Sequence, residues 1–229
     1  MLDTFLRQGN DRRSFRTGKS LYPIFGPHHN EVPAFSFPMV CKLQGAFMNF
    51  SKRLLAYTPP ASTRRRADPA GPLKILHLLS QQPAKTGSGV CLQAMAAHGA
   101  KAGFYQRAVI GLPKAEPVPA IAPLSADEVF AVRFETPPVH YLIPGMSDVM
   151  PYPSTRFSDF TPGMLEGYLN AFAEAFSRAT DGFAPDIIHA NHHWLMTALA
   201  RVLFAETPLC VQSHGTELRQ LVNAAHLGP

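Results

Sequence analysis

Glycine and serine residues follow a short apolar segment of this sequence and have the chemistry to hold an anion. The segment Leu73–Ser80 leads into a loop that ends in Gly87-Ser88-Gly89, and a helical pattern starts directly behind it. Glycines let a backbone approach a ligand closely, and the free N–H groups of a helix's first turn point towards an anion. We therefore predict anion binding at Gly87, Ser88 and Gly89. The alternative, that these glycines only permit a turn, stays open.

Two further apolar segments end in stretches that contain histidine. His189 and His192 stand at the end of one, and His214-Gly215-Thr216-Glu217 follows the other. A neutral imidazole can donate or accept a hydrogen bond to a hydroxyl-rich ligand, and Gly215 leaves room beside His214. We expect these stretches to bind such a ligand, with His214 as the best candidate.

The three histidines at 189, 192 and 193 also suggest a zinc site. No carboxylate or cysteine completes a convincing ligand set around them, and adjacent histidines on a helix diverge. We therefore predict no metal site.

A dinucleotide site is the competing interpretation of the glycine-rich loop. The G-x-G-x-x-G fingerprint needs a third small residue where this chain has Leu92, and an acidic residue at the end of the second strand. The second predicted strand, at about 104–110, is followed by Gly111-Leu112-Pro113 and no acid. An oxidoreductase is therefore disfavoured.

The elements that would position these residues alternate between strand and helix from Leu73 onwards. This alternation predicts an α/β, Rossmann-like parallel sheet with helices on both faces. Further strands are predicted at about 128–134, 139–143, 185–190 and 208–213. Three helices are predicted from apolar residues at helical spacing. The second lies at Thr161–Phe176, the third at Trp194–Leu203, and the apolar residues of the first are Val90, Cys91, Ala94, Met95 and Ala102. Ligands of such sheets bind beyond the carboxyl ends of the strands, so the three polar stretches should share one rim.

A long loop, Pro144–Asp159, is rich in proline and in large apolar side chains. Long structured loops in compact domains are frequently functional. The alternative is that Met146, Met150, Tyr152 and Phe157 merely cover the edge of the sheet, and both interpretations stay open.

Residues 1–72 form a basic, proline-rich segment without sustained periodicity, and we predict a largely irregular extension with one short helix at Ala46–Tyr57. Residues 1–72 contain 11 Lys or Arg against 4 Asp or Glu, whereas residues 73–229 contain 10 against 12. The run Arg64-Arg65-Arg66 is suited to a solvated linker or to peripheral contact with an acidic membrane, and we predict no nucleic-acid partner. No apolar run is long enough to span a bilayer. Cys41, Cys91 and Cys210 are scattered and odd in number. Because Cys91 and Cys210 lie within apolar patterns, we expect buried thiols in a reducing cytoplasm rather than a disulfide framework.

Four motifs in this order resemble the N-terminal half of a bacterial family 4 glycosyltransferase with the GT-B fold. They are Lys74-Ile-Leu-His77, Gly87-Ser-Gly89, Pro185-Asp-Ile-Ile-His189 and Ser213-His-Gly-Thr-Glu-Leu-Arg219. The stretch Pro144–Asp159 resembles part of one cytoplasmic subgroup. The resemblance covers about residues 73–225, so we predict an extension at 1–72 and an acceptor-side Rossmann-like domain at 73–229.

The resemblance implies metal-free hexosyl transfer with retention, from a nucleotide-sugar to a glycan or small-molecule acceptor in cell envelope polysaccharide biosynthesis. It implies that the glycine-rich loop faces the donor's phosphates and that His214 contacts the transferred sugar. It makes His189, His192, Gly215, Thr216, Glu217 and Arg219 substrate-binding candidates. No cofactor beyond the nucleotide-sugar is implied. The family's donor-binding domain lies C-terminal to this region, so we expect a half that is inactive alone and needs that domain, in the same or a separate polypeptide. The alternative is a non-catalytic glycan- or partner-binding module, or a truncated gene product.

Overall fold

The computed structural model of the protein describes residues 71–227. The predicted irregular extension and its short helix at Ala46–Tyr57 lie outside the described residues, apart from Gly71 and Pro72. The predictions made for that segment therefore stay predictions.

A five-stranded parallel sheet forms the centre of the described part, in the strand order β3-β2-β1-β6-β7. A separate pair of short parallel strands, β4 and β5, lies in the long loop. The strands are β1 (Lys74–Leu79), β2 (Tyr105–Pro113), β3 (Val129–Phe134), β4 (Pro144–Gly145), β5 (Thr155–Arg156), β6 (Ile187–Asn191) and β7 (Leu209–Gln212). The predicted α/β, Rossmann-like parallel sheet is confirmed.

Residues 71–227 also contain four α-helices and three single turns of 3₁₀ helix, and the last helix and the last 3₁₀ turn follow the final strand. The helices are α1 (Gly87–Lys101), α2 (Pro162–Thr180), α3 (Leu195–Leu203) and α4 (Thr216–Asn223), and the 3₁₀ turns are Ala126–Glu128, Phe157–Asp159 and Ala225–Leu227. Thr161 caps α2 as predicted, because its side chain accepts a hydrogen bond from the Met164 N–H and Pro162 takes the first helical position. Within residues 71–227, no helix is both long and apolar enough to cross a membrane.

The sheet separates two hydrophobic clusters because successive side chains of a strand point to opposite faces. From β1, Leu76 and Leu78 enter the larger cluster with α2 and α3, whereas Leu79 enters a smaller one beneath α1 with Leu92. Burying one such leucine is worth about 1.5–3 kcal/mol. The two clusters therefore hold helices on both faces and fix the rim at the carboxyl ends of the strands.

The buried face of α1 differs from the prediction. Val90 and Met95 are 66% and 43% exposed, whereas Leu92, Ala96 and the two glycines, Gly89 and Gly99, face the sheet. The glycines explain the rotation, because they allow close approach. A Cβ atom at Gly89 would lie 1.9 Å from the Pro83 carbonyl oxygen.

Several predicted boundaries are also corrected. Gly87, Ser88 and Gly89 form the first turn of α1 rather than the end of a loop, and β2 continues through Pro113. No strand forms at 139–143, where a single bridge joins Thr136 to Val139. The predicted burial of Cys91 and Cys210 is wrong for Cys210, which is exposed because β7 lies at the edge of the sheet, and Cys91 is only half-buried.

Candidate substrate-binding site

A cavity of about 370 Å³ lies on the rim where β1, β6 and β7 end. Its walls come from the β1–α1 segment, the long loop, the end of β6 and the start of α4. The lining residues are Gln81, Lys85, Thr86, Gly87, Ser88, Met146, Ser147, Met150, Pro151, His192, His214 and Thr216. The structure thus brings together five of the predicted site residues, Gly87, Ser88, His192, His214 and Thr216.

The N-terminus of α1 offers backbone donors to this cavity. The Thr86 side chain caps the helix by accepting a hydrogen bond from the Gly89 N–H at 3.0 Å. The amides of Gly87 and Ser88 belong to the group that an α-helix leaves without an intrahelical partner. A Cβ atom at Gly87 would meet nothing within 4 Å, so this residue is open to a ligand.

Gly89 differs from its two neighbours. It is buried and outside the cavity lining, and the backbone of Pro83 lies against its Cα. The structure therefore gives Gly89 a packing role in seating the first turn of α1.

Lys85 places a positive charge at the same end of the cavity, and the sequence analysis did not single it out. Its Nζ lies 2.9 Å from Glu116 Oε1, and both side chains are partly exposed. An exposed ion pair of this kind contributes only about 0–1 kcal/mol to stability. Lys85 can therefore leave Glu116 and contact a ligand with little loss of free energy. The sequence pattern that could have identified Lys85 is a lysine directly before the residue that caps α1.

His214 lines the cavity from the turn between β7 and α4. Gly215 has a φ of 80°, a left-handed conformation that glycine adopts without a steric penalty. The Nε2 atom of His214 lies 3.0 Å from Asn191 Oδ1. Partial burial lowers the pKa of the His214 imidazole, although Glu217 opposes this shift. The ring is therefore neutral at pH 7 and can take part in neutral hydrogen bonds.

Glu217 is buried behind His214 and organises the turn rather than lining the cavity. Its Oε1 accepts a hydrogen bond from the His214 backbone N–H at 3.0 Å. Burial raises the pKa of the Glu217 carboxyl, but hydrogen bonds from backbone N–H groups, the Ser213 hydroxyl and His192 outweigh it and bring the pKa to about 2. The carboxylate is thus ionised and fixes the position of His214.

His192 has a backbone conformation that is unusual for a residue other than glycine, with a φ of 71°. Such left-handed residues persist where the surroundings hold them, and they cluster at functional sites. The Nε2 atom lies 3.2 Å from Gln81 Oε1, and the ring centroid lies 4.6 Å from that of His214. Burial, with a smaller effect of His214, lowers the pKa of His192 to about 4. Two neutral imidazoles therefore face the cavity side by side.

His189 is held beneath α1 instead of at the cavity. Its Nδ1 lies 3.0 Å from His77 Nδ1, and His77 Nε2 lies 2.8 Å from Gln106 Oε1. Burial lowers the pKa of both imidazoles. His189 and His192 are three positions apart, and the left-handed turn at His192 separates them. The structure thus places His189 in a buried polar layer under the helix.

Helix α4 buries polar side chains and exposes apolar ones. Glu217 and Gln220 are buried, whereas Leu218 and Val222 are 65% and 79% exposed. The Gln220 side chain donates to the Met146 carbonyl at 3.0 Å, which explains why a polar residue points inwards. Arg219 is exposed on this helix and, like Gly215, lies outside the cavity lining.

The long loop at 144–159 both packs on the core and lines the cavity. Met146, Tyr152 and Phe157 are buried in the larger hydrophobic cluster. Met146 also lines the cavity, together with Ser147, Met150 and Pro151. The loop therefore covers part of the core and forms the apolar wall of the site.

Metal-ligand geometry is absent from residues 71–227, which contain no group of three His, Cys, Asp or Glu side chains arranged to hold an ion. His192 is buried and the adjacent His193 is exposed, so the two side chains point apart.

Comparison with known proteins gives one family match. A model of the family described as "Glycosyl transferase 4-like domain" matches residues 86–227, from the cap of α1 to the end of the described chain. No curated protein matches the sequence.

Proposed function

The chain belongs to the glycosyl transferase 4-like family, and we propose that its rim cavity holds the acceptor and the donor's phosphates during sugar transfer from a nucleotide-sugar. The family assigns it to glycosyl transfer and to sugar substrates in general. The resemblance described above suggests the finer points, which are a retaining mechanism, a glycan or small-molecule acceptor and a cytoplasmic role in envelope polysaccharide synthesis.

One observation carries the proposal: anion donors and neutral imidazoles line the same cavity. The anion donors are the amides of Gly87 and Ser88 and the ammonium group of Lys85. A leaving nucleoside diphosphate develops negative charge, which helix N-termini and lysine stabilise. The imidazoles are those of His192 and His214, whose neutral rings suit sugar hydroxyls better than they suit phosphate.

The apolar wall formed by Met146, Met150 and Pro151 suits the acceptor side. Sugar rings and lipid-linked acceptors both present C–H surfaces that pack against such side chains. Polar groups opposite them would then orient the reacting hydroxyl, as is usual in sites with few polar groups on a mainly apolar lining.

A donor-binding domain is the second element of the proposal. The residues that would recognise a nucleotide in this family belong to a C-terminal domain, as a continuation of the protein or as a separate polypeptide. The exposed apolar residues Leu218, Leu221 and Val222 on α4 support such a partner, since contiguous exposed apolar surface marks interaction sites. Residues 71–227 alone are expected to bind ligands but to transfer no sugar.

The same surface favours a second candidate function. A non-catalytic module that binds a glycan in the cavity and a protein partner on α4 would show the same apolar helix. The two functions differ in one property, because only the transferase needs an anion site for diphosphate.

Gly87→Val tests the anion site with little risk to the fold, because the space around the Gly87 Cα is open. Calorimetric titration with a nucleoside diphosphate should show weak, salt-sensitive binding by the full chain, and the variant should lose it. The matched control is Gly163→Val, a glycine in the first turn of α2 whose Cβ position is also uncrowded. Equal binding by both variants, or no binding by the unaltered chain, would favour the non-catalytic module.

A further inference from the structure

Asn191 is a buried amide that joins the end of β1 to the ring of His214. It is the last residue of β6 and is 1% exposed. Its Nδ2 lies 3.2 Å from the Leu78 carbonyl oxygen, and its Oδ1 lies 3.0 Å from His214 Nε2. It lies outside the cavity lining, and neither the sequence motifs nor the family match single it out.

The directions of these two hydrogen bonds follow from elementary chemistry. A backbone carbonyl can only accept, so the amide atom that faces Leu78 must be the nitrogen of Asn191. The amide oxygen then faces His214, and because an oxygen of this kind also only accepts, His214 Nε2 must carry the proton. A neutral imidazole has one N–H and one lone pair, so the lone pair of His214 lies on Nδ1.

We propose that Asn191 is a positioning residue that locks His214 in its Nε2–H tautomer, so that Nδ1 accepts a hydrogen bond from a hydroxyl of the bound sugar. The identity of the ligand as a sugar rests on the proposed function. The tautomer of His214 does not, because it follows from the hydrogen bonds alone. His214 is therefore an acceptor towards its ligand, and it binds a hydroxyl group rather than an anion. The phosphates bind instead at the N-terminus of α1.

The other groups around the ring are compatible with this arrangement. Glu217 contacts the backbone N–H of His214, so its charge holds the turn without occupying a ring nitrogen. His192 faces His214 ring to ring at 4.6 Å and is neutral, and His189 lies in the layer below. Of the ring contacts in residues 71–227, the hydrogen bond to Asn191 is the one that distinguishes the two nitrogens.

Nitrogen-15 NMR of the imidazole rings tests the proposal directly on the full chain. At a pH of about 8, above the ordinary imidazole pKa of about 6.5, His214 should show a protonated Nε2 and an unprotonated Nδ1. Asn191→Leu keeps the approximate volume but removes the acceptor, and His214 should then populate both tautomers. Thr180→Val is the matched control, because it removes a buried side-chain hydrogen bond, to the Phe176 carbonyl, far from the cavity. It should leave the His214 spectrum unchanged.

Asn191→Asp provides a second measurement in case the leucine variant does not fold. A carboxylate still accepts from Nε2, so the tautomer should persist, but the negative charge should raise the pKa of His214. A wild-type His214 in the Nδ1–H form would overturn the proposal, as would a leucine variant with an unchanged spectrum or an aspartate variant with an unchanged His214 pKa. If the chain bound neither diphosphate nor sugar, the proposed function would be contradicted. The His214 tautomer seen by NMR would not change.

Discussion

Replacing Glu217 by glutamine should loosen the turn that carries His214. The carboxylate is 1% exposed and accepts from the His214 backbone N–H and the Ser213 hydroxyl, and it faces His192 Nδ1 at 3.4 Å. Glutamine has nearly the same shape, but it offers one neutral oxygen and an N–H₂ group that cannot accept. Hydrogen bonds to charged groups contribute about 1.5–3 kcal/mol, so we expect a loss of stability in that range.

Thermal unfolding converts this loss into a shift of the midpoint. A chain of about 150–250 residues loses roughly 2–4 °C per kcal/mol, so the midpoint of Glu217→Gln should fall by about 3–12 °C. The control is Glu206→Gln, because Glu206 is exposed after α3 and surface substitutions usually stay within about 0.5 kcal/mol.

The pH dependence gives the sharper test, because its sign follows from the pKa. The pKa of Glu217 is lowered from 4.5 to about 2 in the folded chain. The stabilisation is therefore present above pH 4.5 and disappears as the pH falls towards 2, since the unfolded chain takes up the proton first. The difference in stability between wild type and Glu217→Gln should shrink in this window. A difference that stays constant down to pH 2 would refute the role of the charge.

Three further predictions concern other parts of the chain. The free energy of unfolding should fall as the pH drops from about 6.5 towards 4. The reason is that the pKa values of His77 and His192 are lowered to about 4, so the unfolded chain binds protons first. Denaturant titrations at several pH values should show this fall, and it should be weaker in His77→Gln. Gly89→Val should lower the unfolding midpoint strongly, because its Cβ would collide with the Pro83 backbone, whereas Gly87→Val should leave it near that of the wild type. Deletion of residues 1–70 should leave one cooperative unfolding transition, as the lack of periodic apolar residues in that segment predicts; a loss of several kcal/mol would contradict this.

The fold could be predicted because its strongest signals are local. Thr161 and Pro162 define the start of α2. An almost continuous apolar run such as Ile75–Leu79, which only His77 interrupts, is typical of a strand that is buried on both faces. The buried face of α1 could not be predicted in this way. Glycines at 89 and 99 decide which side approaches the sheet, and hydrophobic periodicity gives glycine no weight.

The site was only partly accessible to sequence analysis for a related reason. His214 and Gly87 stand at strand ends, and the parallel topology brings such ends to one rim. Asn191 and Gln81 act through contacts with residues more than twenty positions away, at distances that no local pattern encodes. His189 is a candidate in the sequence because it stands near the end of a strand and belongs to one of the resembling motifs. Its place on β6 instead turns it towards His77 beneath α1.

Sugar transfer in the presence of a donor domain tests the central proposal most directly. Residues 71–227, joined after Leu227 to the donor-binding domain of a related family 4 glycosyltransferase, should transfer a sugar from that domain's nucleotide-sugar. The unfused chain should show no measurable transfer, because positioning of both substrates supplies about 7–11 kcal/mol of barrier lowering. In the fusion, His214→Ala should remove most of the activity, and His193→Ala, at an exposed histidine outside the cavity lining, should not. Efficient transfer by the unfused chain, or full activity of the His214→Ala fusion, would contradict the proposal.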